Sequence, residues 1–151
     1  MIESARSLIE EELGRHGVYA STTRGVSMRP LFRTGRDMVI IKPPIGELKK
    51  YDVVLYRDGK GKYILHRIIS VKDTYYVIRG DNTYVREHVD KTRIIGVLTE
   101  FNRDGKHHFV TERGYRLYSR LWNFLYLPRA AVYYVLRTAK RALRKIFKKK
   151  R

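Results

Sequence analysis

Between residues 38 and 111 the chain is cut into short apolar runs by clusters of Gly, Pro, Asp and Lys, and this punctuation narrows the fold more than any other feature. The runs fall at 38–41, 53–56, 63–71, 75–78, 94–101 and 107–111. They are strand-sized, and their Val, Ile, Tyr and Phe suit a pleated, half-buried surface. Asp58-Gly59-Lys60-Gly61 and Arg103-Asp104-Gly105-Lys106 read as hairpin turns. The spacing predicts a mainly β body, barrel-like or a sandwich. One more short strand is expected over 18–23, before a turn at 25–30.

Helical periodicity brackets this body. Over residues 2–15, Ile2, Ala5, Leu8, Ile9 and Leu13 fall on one face, and His16-Gly17 supplies a stop. From about Gly114 the texture turns helical again, with an interruption expected near Pro128. There Val132, Val135, Leu136, Ala139, Leu143, Ile146 and Phe147 form an apolar stripe beside Arg137, Lys140, Arg141, Arg144, Lys145 and Lys148. The expected organisation is a body at 1–112 and a basic amphipathic helical tail at 113–151.

Charge sharpens that division. The 151 residues carry 33 Lys and Arg against 15 Asp and Glu, a net +18, yet residues 1–112 account for only +5 of it. The tail holds 13 basic residues and no acid. Such a field attracts anionic lipid, nucleic acid or acidic peptides. An anionic membrane surface, met through Tyr115 to Arg151, is the expected partner. Trp122, Phe124, Tyr126, Tyr133 and Tyr134 are types that sit at headgroup level, and the basic face complements the lipid charge. Nucleic acid is not expected, because no recognition fold accompanies the charge. The bland alternative is a helix packed on the body or on a second copy.

A membrane span is not expected either: the stretch between Arg120 and Arg137 is broken by Pro128-Arg129, and a span needs about 20 apolar residues. The opening MIESARSLIEEELGRHG lacks the basic and apolar regions of a signal peptide. The expected location is the cytoplasmic face of a membrane. The chain has no cysteine, which excludes disulfides, a thiolate nucleophile and Cys-type zinc sites. No HExxH-type spacing occurs, so neither a metal nor another cofactor is expected.

Three places carry chemistry. Gly25-Val26-Ser27-Met28-Arg29-Pro30 can present the Ser27 hydroxyl on a tight turn, where Gly25 permits close backbone approach. A serine hydroxyl needs a base to become a nucleophile. His66, in the strand-like Tyr-Ile-Leu-His-Arg-Ile-Ile, can take that proton and later return it to a leaving amine. Leu65 and Arg67 should face opposite to it. Asp81, in Gly80-Asp81-Asn82, can orient the imidazole or merely cap its own turn. Glu87 and Asp90 are the other acids nearby, and His88 is a second candidate base.

This ordered set resembles the signal peptidase-like superfamily of serine peptidases over roughly residues 8–101. Gly25 to Pro30 resembles its nucleophile box, Gly-x-Ser-Met-x-Pro. Phe32-Arg33-Thr34-Gly35-Arg36-Asp37-Met38-Val39 and Lys50-Tyr51-Asp52-Val53-Val54 resemble its two Gly-Asp-x-Val segments. Leu65-His66-Arg67 occupies the base position, and Gly80-Asp81-Asn82 followed by Ile94-Ile95-Gly96-Val97 resembles the last block and its closing strand.

The resemblance implies the signal peptidase/LexA-like β-barrel-like catalytic fold and cleavage of a leader or precursor peptide after small side chains. Histidine rather than lysine at position 66 matches the archaeal and endoplasmic-reticulum type. It implies Ser27 as nucleophile, His66 as base, Asp81 as third member, and Glu87 or Asp90 as a second acid. Gly25 stands where many relatives carry a hydroxyl that helps bind the oxyanion, so the backbone N–H of Ser27 is expected to take that load. The N-terminal membrane anchor of signal peptidases has no counterpart in the sequence. Two rival readings are a LexA-like self-cleaving regulator, which would need a lysine at 66, and a non-catalytic membrane- or peptide-binding module on the same fold.

Overall fold

The computed structural model describes the backbone from Ile2 to Lys149 and the side chains of residues 8 to 141. Helix α1 (Ile2–His16) ends where Gly17 turns to a φ of 66° and donates its N–H to Leu13 O at 3.0 Å. Leu13 is buried, Ile9 packs beside it and Leu8 is half-exposed, while Ile2 and Ala5 lie outside the described side chains.

Eight strands follow: β1 (Tyr19–Thr22), β2 (Met38–Lys42), β3 (Val53–Arg57), β4 (Tyr63–Val71), β5 (Tyr75–Arg79), β6 (Glu87–Asp90), β7 (Ile94–Arg103) and β8 (Lys106–Phe109). They form one antiparallel sheet, seven of them in the order β1-β2-β7-β3-β4-β5-β6 with β8 added on β7, curled into a half-barrel. The long β7 pairs with β2 along one edge and with β3, then β8, along the other. The β7–β8 turn places Asp104 and Gly105 at φ 53° and 74°, the two positive values that a tight two-residue hairpin requires.

The six runs read from the sequence all become strands, as does 18–23. The strand that the sequence did not reveal is β6, whose Glu-His-Val-Asp contains a single buried apolar residue, Val89. Its identity as a strand comes from pairing with β5, Ile78 opposite Glu87 and Tyr76 opposite Val89.

Strand alternation divides the core. Val53 and Leu55 join Met28, Leu31, Phe32, Ile41, Leu98 and Phe101 on one face of the sheet. Val54 and Tyr56 join Ile68, Tyr76, Ile78 and Val89 on the other. β3 is buried on both faces, which is why it reads as an unbroken apolar run. Phe32 meets Phe101 edge to face at 5.4 Å, and burying one side chain of this size contributes about 1.5–3 kcal/mol.

The strands end at Phe109, and α2 (Arg113–Phe124) and α3 (Tyr126–Lys149) make up the rest of the described residues. The break falls at Leu125, three residues before the position expected. Pro128 instead sits in the first turn of α3, where the helix asks for no N–H from it.

Candidate active site

His66 lies mid-way along β4, opposite Val54 of β3, and is 6% exposed. Its Nδ1 is 3.0 Å from Glu87 Oε1, delivered by β6. Tyr56, on the same face, donates its hydroxyl to Glu87 Oε2 at 2.8 Å and lies 3.4 Å from His66 Nδ1. Burial pushes the imidazole below its ordinary value, and the Glu87 charge only partly offsets it. The Tyr56 phenol is driven well above its usual range by burial and by Glu87.

With Nδ1 held by Glu87, Nε2 points to the Ser27 loop. Gly80 registers the approach: a Cβ built on it would lie 2.7 Å from Ser27 O and 3.0 Å from His66 Nε2. Only a residue without a side chain lets the two come together there. Ser27 is half-buried, and neither its hydroxyl nor its N–H has a hydrogen-bond partner among the described residues.

The loop around Ser27 is held from both sides. Downstream, Met28, Leu31 and Phe32 are buried in the core, and Phe32 N donates to Met28 O at 3.1 Å. Upstream, Gly25 adopts a φ of 81° and its carbonyl accepts the Thr34 hydroxyl. Across the site, Asn82 donates its backbone N–H to Ser27 O at 2.7 Å and its amide to Val26 O at 3.2 Å. Asp37 is fully buried and accepts from Arg33 N at 2.8 Å and Arg36 Nε at 2.9 Å, fixing the segment that leads into β2.

Asp81 does not hold the histidine. Its carboxylate grips Arg67 in a two-pronged pair, Nε to Oδ1 and Nη2 to Oδ2, both at 2.8 Å. The reason is the pleat: His66 and Arg67 are consecutive on a strand and face opposite sides, and Asp81 follows Arg79 onto the Arg67 side. Asp90 is also remote from the imidazole, since it caps the short 3-10 turn at Lys91–Arg93 through Thr92 N at 2.8 Å. Of the three acids weighed from sequence, the structure brings Glu87 to His66.

Arg67 is fully buried, and Nη1 also donates to Tyr51 O, Ser119 Oγ and Tyr115 Oη at 2.9, 2.8 and 3.3 Å. Burial opposes its charge, but Asp81 and Tyr115 more than compensate and hold it protonated. Tyr118 donates to Asp81 Oδ2 at 3.0 Å, while Trp122 Nε1 and Arg129 Nη2 both donate to Asp81 O at 2.8 Å. The first half of the basic tail is therefore built into the body. Trp122 and Tyr126, read from sequence as headgroup aromatics, serve this packing; Tyr126 donates to Tyr84 O at 3.3 Å. Phe124 remains 80% exposed.

The remaining histidines stand apart. His88 is exposed on the far face of β6 against Tyr75, His107 bonds Glu100 and Asn102, and His108 bonds Glu112. Among the described residues no group of three or more His, Cys, Asp or Glu could hold a metal ion, and no helix is long and apolar enough to cross a membrane.

Sequence reasoning passed over Tyr56 and the partnership of Arg67. Both were marked in principle by alternation, Tyr56 sharing the face of Val54 and His66, and Arg67 lying on the reverse. No known family model matches the chain, and no curated protein matches it.

Proposed function

We propose that the chain is a serine endopeptidase of the signal peptidase-like kind that cleaves a leader or precursor peptide at an anionic membrane surface. One observation carries the reading: Ser27 O and His66 Nε2 crowd the same point at Gly80 while Glu87 occupies the other imidazole nitrogen. The half-barrel sheet and N-terminal helix agree with the signal peptidase/LexA-like fold that the motifs imply.

In this reading His66 Nε2 takes the Ser27 proton as Oγ attacks the scissile carbonyl carbon. Glu87 keeps the proton on Nδ1 and stabilises the imidazolium. The unpaired Ser27 N–H donates to the oxyanion. Collapse breaks the C–N bond, His66 protonates the leaving amine, and water then releases the acyl group by the same route. Asp81 acts as a positioning residue, through Asn82 and Gly80, rather than as the acid on the base.

Support for the membrane surface comes from α3, where Leu127, Val132, Val135 and Leu136 are exposed beside Arg137, Lys140 and Arg141. The unpartnered Ser27 hydroxyl favours the second reading, a non-catalytic peptide-binding module. Incubating the full chain, on phosphatidylglycerol vesicles, with peptides carrying Ala at the cleaved position separates the two. Cleavage lost in Ser27→Ala and His66→Ala supports the peptidase; peptide binding without cleavage in the parent chain supports the module.

A further inference from the structure

Arg67 and Arg79 face each other across β4 and β5, and both are buried, but only one has a counter-charge. Arg67 has the Asp81 carboxylate. Arg79, 6% exposed, donates Nη2 to the neutral Asn123 amide at 2.9 Å and lies 3.6 Å from the centre of the Tyr126 ring. Like charges opposite one another on a sheet are unfavourable, and a buried charge without a partner is costly.

Two more cations converge on the same place. Arg86 lies 5.9 Å from the centre of that Tyr126 ring. Arg129, one helical turn beyond Tyr126, stacks 3.6 Å over Trp122 and bonds only the backbone carbonyls of Asp81 and Trp122. None of the three forms an ion pair among the described residues. The acids at hand are occupied elsewhere: Asp81 with Arg67 and Tyr118, Glu87 with His66 and Tyr56.

Burial lowers the proton affinity of Arg79, the positive charges of Arg86 and Arg129 lower it further, and Tyr126 opposes them without restoring it. Among the described residues no side-chain nitrogen sealed from solvent lacks a partner, so the guanidinium nitrogens of Arg79 that Asn123 does not hold are not fully sealed.

We propose that Arg79, Arg86 and Arg129 form a binding site for a phosphate group at the elbow between α2 and α3. Planar guanidinium forks match phosphate oxygens in pairs, and an anion here supplies the missing counter-charge. The phosphate is that of a lipid headgroup or a free phosphate ion. The site is independent of the peptidase reading and stands if Ser27 proves inert.

The test uses the full chain, with Arg86→Gln as the probe, because Arg86 is exposed and outside the core. Lys140→Gln, which alters the tail charge away from the elbow, is the control. Inorganic phosphate is titrated by calorimetry, and flotation is measured with vesicles of phosphatidylglycerol in phosphatidylcholine. Saturable phosphate binding that weakens roughly fivefold in Arg86→Gln but not in Lys140→Gln supports the site. If vesicle binding also falls further in Arg86→Gln than in Lys140→Gln, the ligand is a lipid headgroup; if the two variants float alike, it is free phosphate. The proposal is overturned if the parent chain shows no saturable phosphate binding and the two variants lose vesicle binding equally.

Discussion

Glu87 and His66 sit on strands separated by β5, yet Glu87 Oε1 reaches His66 Nδ1 at 3.0 Å. Tyr56 fixes the second carboxylate oxygen, so the carboxylate has one orientation. Replacing Glu87 by Gln should leave the fold intact and lower kcat by up to about 10⁴-fold, the scale seen when a triad carboxylate becomes an amide. Tyr56→Phe should cost less, because it frees one oxygen without removing the charge. Equal kcat in Glu87→Gln and the parent chain would take Glu87 out of the site.

The pH dependence follows from the depressed imidazole. His66 must be neutral to accept the Ser27 proton, and its titration lies on the acid side of 6.5. Activity should rise through that lower range and be level near neutrality. The groups that act on the imidazole are Glu87, Tyr56, Asp81 and Lys62. Below about 6.5 the unfolded chain takes up the proton before the folded one does, so this group's contribution to stability is present above 6.5 and is lost as pH falls. An activity limb centred above 6.5 would contradict the burial that sets the shift.

Gly80→Ala tests the close approach directly. The new methyl would lie 2.7 Å from Ser27 O, a backbone atom that cannot swing aside, so the Ser27 loop must move away from His66. The expected result is near-complete loss of cleavage with a destabilisation of about 1–3 kcal/mol, the usual range for overpacking. Retained activity would mean that the two groups do not meet at Gly80.

The Arg67–Asp81 pair should behave as a structural element. Asp81→Ala strands a fully buried guanidinium and should cost about 3–5 kcal/mol in chemical denaturation. A double change, Arg67→Met with Asp81→Leu, should recover much of that loss. If Asp81→Ala abolished cleavage with stability unchanged, Asp81 would belong to the chemistry after all.

Much of the sheet was legible because its strands announce themselves: Val53-Val54-Leu55-Tyr56 is buried on both faces and could be little else. The acid on His66 was not legible for a related reason. Glu87 rides on β6, which has one buried apolar residue and is a strand only through its pairing with β5. Without that register, Asp81, Glu87 and Asp90 are three carboxylates at similar sequence distance. The opposite assignment of His66 and Arg67 was readable from alternation, but what lay behind Arg67 was not. Its partners Tyr115 and Ser119 come from a helix about fifty residues away, in a segment whose charge drew attention outward. Pro128 misled by its usual meaning as a breaker, although the first turn of a helix accepts it.

The carbonyl that receives Trp122 and Arg129 and the N–H that holds Ser27 O belong to one amide, the Asp81–Asn82 peptide unit. An amide is planar and stiff, and its oxygen and hydrogen point in opposite directions. This unit is thus a strut a single peptide wide, with the helical arm at one end and the nucleophile's loop at the other. Donors on the oxygen also polarise the N–H and strengthen its grip on Ser27. A force that tilts α2 or α3, such as docking on a surface, therefore has a short path to Ser27: the Trp122 and Arg129 side chains and this one amide.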